Sequence, residues 1–405
     1  MNGLGGKPNE EYVAAESASQ QSRRIILVTT VPETFATILR RQPAYLRKYF
    51  DLSLVSSEGE LCHRISEEEG VLVSTVPMKR GISILNDLIS VISMIIVLRK
   101  RRPLLVHSYT PKAGLVTMLA ALICRVPIRV HTFTGLIFPT SIGFKRALLI
   151  WMDRLICACA TDVVPEGVGV KKDLERFQIT RKRLRIIGNG NIAGVDSNYF
   201  SSDAPGVYEA AADFRSRLGI LPGAFIFCFV GRLNRDKGLV ELMRAFINLS
   251  TNAHLLLVGE SDNTAPIGAD VSADIASHPR VHSVGFLSDV RPALRAADVL
   301  VLPSYREGFP NVVLQAGAME LPVIATDING CNEVIEPGFN GWLVPPRDAQ
   351  ALERAMHEAI EVPSFQRLAM GRRARERIQR RFEQRDHWKR MVLFYRSLLD
   401  RDRRG

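Results

Sequence analysis

Short apolar runs alternate with longer amphipathic stretches along almost the whole chain. In the first half the runs are RIILVT (24–29), LSLVS (52–56), LLVHS (104–108), IRVHT (128–132) and TDVVP (161–165). Helical periodicity fills the intervals around 35–49, 83–99, 113–124 and 143–159. A stretch rich in Asn, Ser, Asp and Gly, NIAGVDSNYFSSDAPG, then has the composition of a linker. The alternation resumes with FIFCFVG (225–231), HLLLVGE (254–260), VHSVGF (281–286), DVLVLPS (298–304) and PVIATD (322–327). Runs that are apolar at nearly every position suit strands covered on both faces, and strand–helix alternation builds parallel sheets. The expectation is an α/β protein of two doubly wound, Rossmann-like domains facing each other across a cleft. Their expected bounds are 23–197 and 198–380, with a disordered leader at 1–22 and a basic helix at 381–405. Such sheets bind ligands beyond the carboxyl ends of their strands, which directs attention to the residues just after each run.

Composition narrows this picture. A chain of 405 residues with 46% hydrophobic content has enough apolar material for two cores. Its six cysteines are scattered and form no CxxC pair, which argues against a disulfide scaffold or a zinc site and for a reducing, cytoplasmic setting. The formal charge of +11 is uneven: residues 371–405 hold 13 Lys and Arg against 5 Asp and Glu, and residues 79–102 hold 6 against 1. The rest is close to neutral, so a uniformly basic nucleic-acid binder is disfavoured, and neither patch offers an aromatic stacking surface. The leader is polar and acidic before its first apolar run and is no signal peptide. The most membrane-like segment, 82–98, is short for a span of about 20 residues and contains Asn86 and Asp87. Leu85, Leu88, Ile92 and Ile95 fall on one helical face, so an amphipathic or buried helix is expected there.

Two strand ends carry the chemistry. In FVGRLNRDKGLVELMRAF the run ends at Gly231, Arg232 and Lys237 follow in a short loop, and a helix begins near Gly238. Two cations beside the free amides of a helix start make a receptor for a diphosphate. Taken alone, such a loop is more often ordinary solvated surface. In DVLVLPSYREGFPNVVLQAGAMELPVIATD a strand ends near Ser304, Pro310 occupies a helix start, and the helix runs from about 311 to 319. Gly308 has no side chain, so a ligand can approach the backbone of Gly308, Phe309, Pro310 and Asn311 closely. Glu307 at the mouth can accept hydrogen bonds from hydroxyls, and Gln315, two turns into the helix, reaches toward the same cleft.

GRLNRDKG followed by PSYREGFPNVVLQAGAMELPVIATDINGCNEVI closely resembles the C-terminal half of retaining glycosyltransferases of family four, which have the GT-B fold. The likeness covers roughly residues 225–347 and closes with GFNGWLVPPRD. VTTVPETFATILRRQ, HSYTPKAG and VHTFTGL look like the members that build bacterial capsule, O-antigen and other surface glycans. The resemblance implies that Arg232 and Lys237 hold a nucleotide-sugar diphosphate, and that Glu307 and the backbone at Gly308 and Phe309 position the donor sugar. The family usually has a second glutamate eight residues after the first, bonding the nucleotide ribose; this chain has Gln315 there. An amide still accepts hydrogen bonds from ribose hydroxyls through its oxygen, without the carboxylate charge.

On the other side of the cleft, the resemblance points to His131 in IRVHTFTGLIF, near the donor's anomeric centre, with Gly135 soon after. His107, also at a strand end, reads as structural, and Thr30 is expected in the loop that meets donor phosphate and acceptor. The implied reaction is front-face transfer of a hexose or N-acetylhexosamine, from UDP above other nucleotides, to a lipid-linked saccharide. No cofactor or metal is expected: the only Asp-x-Asp, Asp400 and Asp402, lies in the basic tail. The last helix is expected to cross back onto the first domain with Trp388, Met391, Val392 and Tyr395 as core. The basic segments 79–102 and 371–405 are both expected to face an anionic membrane, placing the enzyme peripherally on the inner face of the cytoplasmic membrane. Two readings compete: another reaction on the same fold, such as sugar-nucleotide epimerisation, and a non-catalytic basic binding protein.

Overall fold

The computed structural model describes residues 23–402 apart from 80, 82, 250, 263 and 264; the expected leader, 1–22, lies outside them. The first sheet is built from β1 (Arg24–Val28), β2 (Asp51–Ser56), β3 (Leu72–Thr75), β4 (Leu105–Tyr109), β5 (Ile128–Phe133) and β6 (Asp162–Pro165). The second contains β7 (Ile226–Val230), β8 (His254–Val258), β9 (Val281–Ser283), β10 (Val299–Leu302), β11 (Val323–Thr326) and β12 (Gly341–Val344). Their orders are β3-β2-β1-β4-β5-β6 and β12-β11-β10-β7-β8-β9, the same doubly wound order twice, with neighbouring strands parallel. Each sheet therefore changes winding direction once, between β1 and β4 and between β7 and β10. Helices leave to opposite faces at those points and open a crevice.

Side chains alternate faces along each buried strand. In β1, Ile26 and Val28 join a core with Met94, Leu98, Val116 and Ile156, whereas Ile25 and Leu27 join Phe35, Phe50, Met391 and Tyr395 on the other face. The helix Gln384–Asp402 thus returns from the second domain to cover the first sheet, and Trp388, Met391, Val392 and Tyr395 are buried as expected.

Three features differ from the sequence expectation. The strands β3 and β12 were not anticipated, because four-residue edge strands (LVST and GWLV) carry too little pattern. The helix expected over 35–49 is broken: a wide turn, Thr34–Ile38, precedes a short helix, Gln42–Leu46. Arg41 lies between them at φ 67°, and Pro43 cannot donate to a continuing helix. The buried Glu69 carboxylate instead accepts from the amides of Arg41 (2.7 Å) and Ala44 (2.8 Å). Finally, the helix Ile84–Arg101 packs inward through Ser90, Met94 and Leu98, so Leu85, Leu88, Ile89, Ile92 and Ile96 point outward. The apolar face read from the sequence is largely the exposed one.

Candidate active site

The crevice of the second sheet is framed by the chain leaving β7 and β10. After β7, Gly231 donates its amide to Val258, and Asn234 caps the turn Arg235–Lys237, its side chain accepting from the Lys237 amide at 3.1 Å. That turn aims Lys237 across the crevice: its Nζ lies 2.5 Å from Glu307 Oε1, which also accepts from Ser304 Oγ at 2.7 Å. The structure thus unites Lys237 with Glu307, seventy residues apart. Arg232 is turned aside, its guanidinium paired with Asp262. An incoming anion would compete with Glu307 and Asp262 for these two cations.

Beyond Glu307, Pro310 precedes the helix Asn311–Ala318. Phe309 is buried in the second core, its ring 5.4 Å from Phe382, so it anchors the loop and leaves only its backbone for a ligand. Gln315 and Asn311 line a cavity of about 370 Å³ between the domains, together with Phe286 and Leu287 from the second and Thr37 and Arg40 from the first. Arg232, Lys237 and Glu307 are not in its wall; they stand at the ends of β7 and β10.

The crevice of the first sheet lies opposite. Thr30 follows β1 and Thr110 follows β4, and their hydroxyls are 2.7 Å apart; the Ala113 amide also donates to Thr30 Oγ1, at 3.2 Å. Thr110 sits at φ 75°, ψ 144°, a region that disfavours a β-branched residue and is held only under surrounding constraint. His131 ends up wholly buried, its Nδ1 2.9 Å from Ser108 Oγ and its ring edge-on to Phe133. Burial holds the imidazole down at about 3, so it is neutral at physiological pH, and its Nε2 has no hydrogen-bond partner. It is therefore a hydrogen-bonding group and no cation. His107 is structural, as read: it bridges Tyr395 of the last helix and Thr132, each at 2.7 Å.

The two domains meet around Gly308. A methyl group on Gly135, which has φ 103°, would lie 3.1 Å from Gly308 Cα, and one on Gly308 would lie 2.5 Å from Glu166 Oε2 and 2.6 Å from Thr134 O. Further along, Glu333 accepts from the amides of Val168 (2.7 Å) and Gly169 (2.9 Å), which open the helix Val168–Arg176, while Asn329 donates to Asp173 at 2.7 Å. Thr110, Glu166 and Glu333 were missed by the sequence reading. Thr110 and Glu166 each follow a strand directly, which was the available signal; the clasp by Glu333 is a tertiary contact with none.

Two facing Rossmann-like domains of the same doubly wound order, with a crevice between them, define a GT-B architecture. Residues 224–361 match the family described as "Glycosyl transferases group 1", and residues 36–190 match the "Glycosyl transferase 4-like domain". The chain belongs to the family-four glycosyltransferases of the bacterial surface-polysaccharide type. It is 29% identical over 384 residues to the capsular polysaccharide biosynthesis glycosyltransferase CapM of Staphylococcus aureus, covering 94% of this chain and 98% of that one. It is 28% identical over 317 residues to an Escherichia coli UDP-Gal:alpha-D-GlcNAc-diphosphoundecaprenol alpha-1,3-galactosyltransferase, covering 76% and 79%. In fold it is similar to Anabaena Alr3699/HepE, solved in complex with UDP and glucose, with a TM-score of 0.78 at 19% identity over 93% of this chain and all of that one. The protein is thus a glycosyltransferase of capsule or other surface-glycan biosynthesis. Among the described residues no helix is long and apolar enough to cross a membrane.

Proposed function

We propose that the protein transfers a hexose or N-acetylhexosamine from a UDP-sugar to a lipid-linked saccharide, with retention at the anomeric carbon. The observation that carries this reading is the Lys237–Glu307 pair beside residues 308–311, next to a cavity that Gln315 and Asn311 line. The E. coli relative, named for a UDP-Gal donor and a diphosphoundecaprenol-linked acceptor, supports the choice of both substrates. On this reading the nucleoside occupies the cavity, the diphosphate lies against Lys237 and Arg232, and the sugar rests on the amides of 308, 309 and 311 with Glu307 accepting from its hydroxyls. The two cations stabilise the departing diphosphate, which makes the step metal-independent, and the acceptor hydroxyl attacks from the side the diphosphate leaves. The Thr30 and Thr110 hydroxyls stand on the acceptor side, with His131, neutral and buried, in the neighbouring β5.

Gln315 tests the nucleoside placement. Gln315→Glu is expected to keep or raise UDP affinity by calorimetry, because a carboxylate accepts ribose hydroxyls at least as well; a tenfold loss would remove the ribose from this wall.

The enzyme is also inferred to work at an anionic membrane on the cytoplasmic side. Support comes from the outward stripe Leu85 (76% exposed), Leu88, Ile89, Ile92 and Ile96, which ends in Arg99, Lys100 and Arg101. On the same side of the sheet, Ile142 and Phe144 are 87% and 84% exposed at the start of the helix Gly143–Cys159. Apolar residues rimmed by cations suit an interfacial helix, each cation adding about 1 kcal/mol near the surface. The tail is no longer part of this surface: its helix covers the opposite face of the first sheet. Leu88→Glu with Ile92→Glu is expected to cut sedimentation with phosphatidylglycerol vesicles at least tenfold while leaving the melting temperature unchanged. Full retention would contradict the docking face.

A further inference from the structure

The least explained group near the reaction centre is a carboxyl that the mechanism above does not use. Glu166 directly follows β6, is buried, and has its backbone fixed on both sides: its amide donates to Phe133 and its carbonyl accepts from Asn191. Its side chain crosses the domain boundary and ends where a methyl on Gly308 would be, 2.5 Å from that point. A small internal cavity behind it is lined by His107, Tyr109, Thr132, Asn191 and His387.

We propose that Glu166 is a positioning residue for glycosyl transfer: from the first domain, its carboxyl braces the Gly308 loop and so fixes where the donor sugar lies relative to the acceptor side. This rests on the reading of residues 308–311 as the sugar seat. Glycines at 135 and 308 leave this junction with no side chain of its own, so the Glu166 carboxyl is the polar group that fills it.

The charge state of the brace follows from its surroundings. Burial raises the Glu166 carboxyl well above the ordinary range, and the neighbouring Glu307 and Glu333 carboxylates raise it further. The cavity behind it adds Tyr109 and two imidazoles, His107 and His387, which burial holds neutral, His387 at about 4, while on the Gly308 side Lys237 is already paired with Glu307. Burial and the neighbouring carboxylates together favour the neutral acid, a form able to donate a hydrogen bond. It ionises as pH rises through its raised value, and a carboxylate there repels Glu307 and Glu333 across the junction. Activity should therefore fall on the alkaline side.

The test compares the full chain with Glu166→Gln and Glu166→Ala. UDP affinity by calorimetry should change less than threefold in both, because nothing in the nucleotide placement involves Glu166. Turnover is then followed across pH 6–9, using the best donor among UDP-glucose, UDP-galactose and their N-acetylamino forms, with an N-acetylglucosaminyl-diphospho-lipid as acceptor. Glu166→Ala should lose at least tenfold in kcat at unchanged donor KM. Glu166→Gln should stay within threefold and lack the alkaline decline of the wild type. Hydrogen exchange at the amides of 308, 309 and 311 supplies a second measurement independent of donor choice: faster in Glu166→Ala, unchanged in Glu166→Gln. Wild-type kcat and exchange in Glu166→Ala would overturn the brace, as would an alkaline decline that persists in Glu166→Gln. A wild-type protein that binds no UDP would instead overturn the donor-site reading itself.

Discussion

Lys237→Ala is expected to lower kcat/KM by about 10²–10³-fold, the scale seen when one donor to a developing oxyanion is removed. The same change should weaken UDP binding by about tenfold or more, since a charge-assisted hydrogen bond is worth roughly 1.5–3 kcal/mol. The structure makes the prediction specific. Lys237 is carried by a turn that Asn234 caps, and it already reaches across the crevice to Glu307 at 2.5 Å. Among the described residues its removal leaves Ser304 as the hydrogen-bond partner of Glu307, so on the proposed reading the donor sugar would lose a fixed acceptor of hydrogen bonds. Lys237→Arg keeps the charge but cannot reproduce the compact ammonium in that space, and is expected to restore only part of the loss. A thermal shift with UDP that is the same in wild type and Lys237→Ala would remove the diphosphate from this residue. Arg232→Ala should cost less, because Arg232 is exposed and already shared with Asp262.

Gly308→Ala is the second large effect. The new methyl would stand 2.5 Å from the Glu166 carboxyl and 2.6 Å from the Thr134 carbonyl, both inside van der Waals contact. The loop must shift away from the first domain, and a displacement of about 1 Å at a reacting centre costs about 100-fold. The expected result is a kcat loss of that size or more. The melting temperature should fall by only a few degrees, because the clash lies at the domain junction and not within either core. A Gly308→Ala enzyme with near-wild-type turnover would mean that the domains separate here during the reaction.

The fold was largely legible because its strands are buried on both faces and so appear as unbroken apolar runs; every interior strand coincides with one to within a residue or two. The edges were not. LVST and GWLV are short, and LVST is half-exposed, so neither differs from a loop by pattern alone. On the site, Lys237, Glu307 and Gln315 could be named because they follow strands at a spacing that the family shares. Whether Arg232 was free could not be read, since Asp262 reaches it from another loop. The histidine reading was altered by depth: His131 lies at the expected strand end, yet burial makes it neutral. Where the charge of the tail lies could not be read, because the same helix is basic on one side and core on the other, and only packing decides which sheet face it covers.

One measurement bears most directly on the central claim. The purified protein is incubated with a panel of UDP- and GDP-sugars and polyprenyl-diphosphate saccharides, and the lipid product is examined by mass spectrometry and its new linkage by NMR. The account predicts that one UDP-sugar with one acceptor adds the mass of a single hexose or N-acetylhexosamine, releases UDP, and keeps the donor's α configuration. A product with inverted configuration, or transfer from GDP-sugars alone, would contradict it.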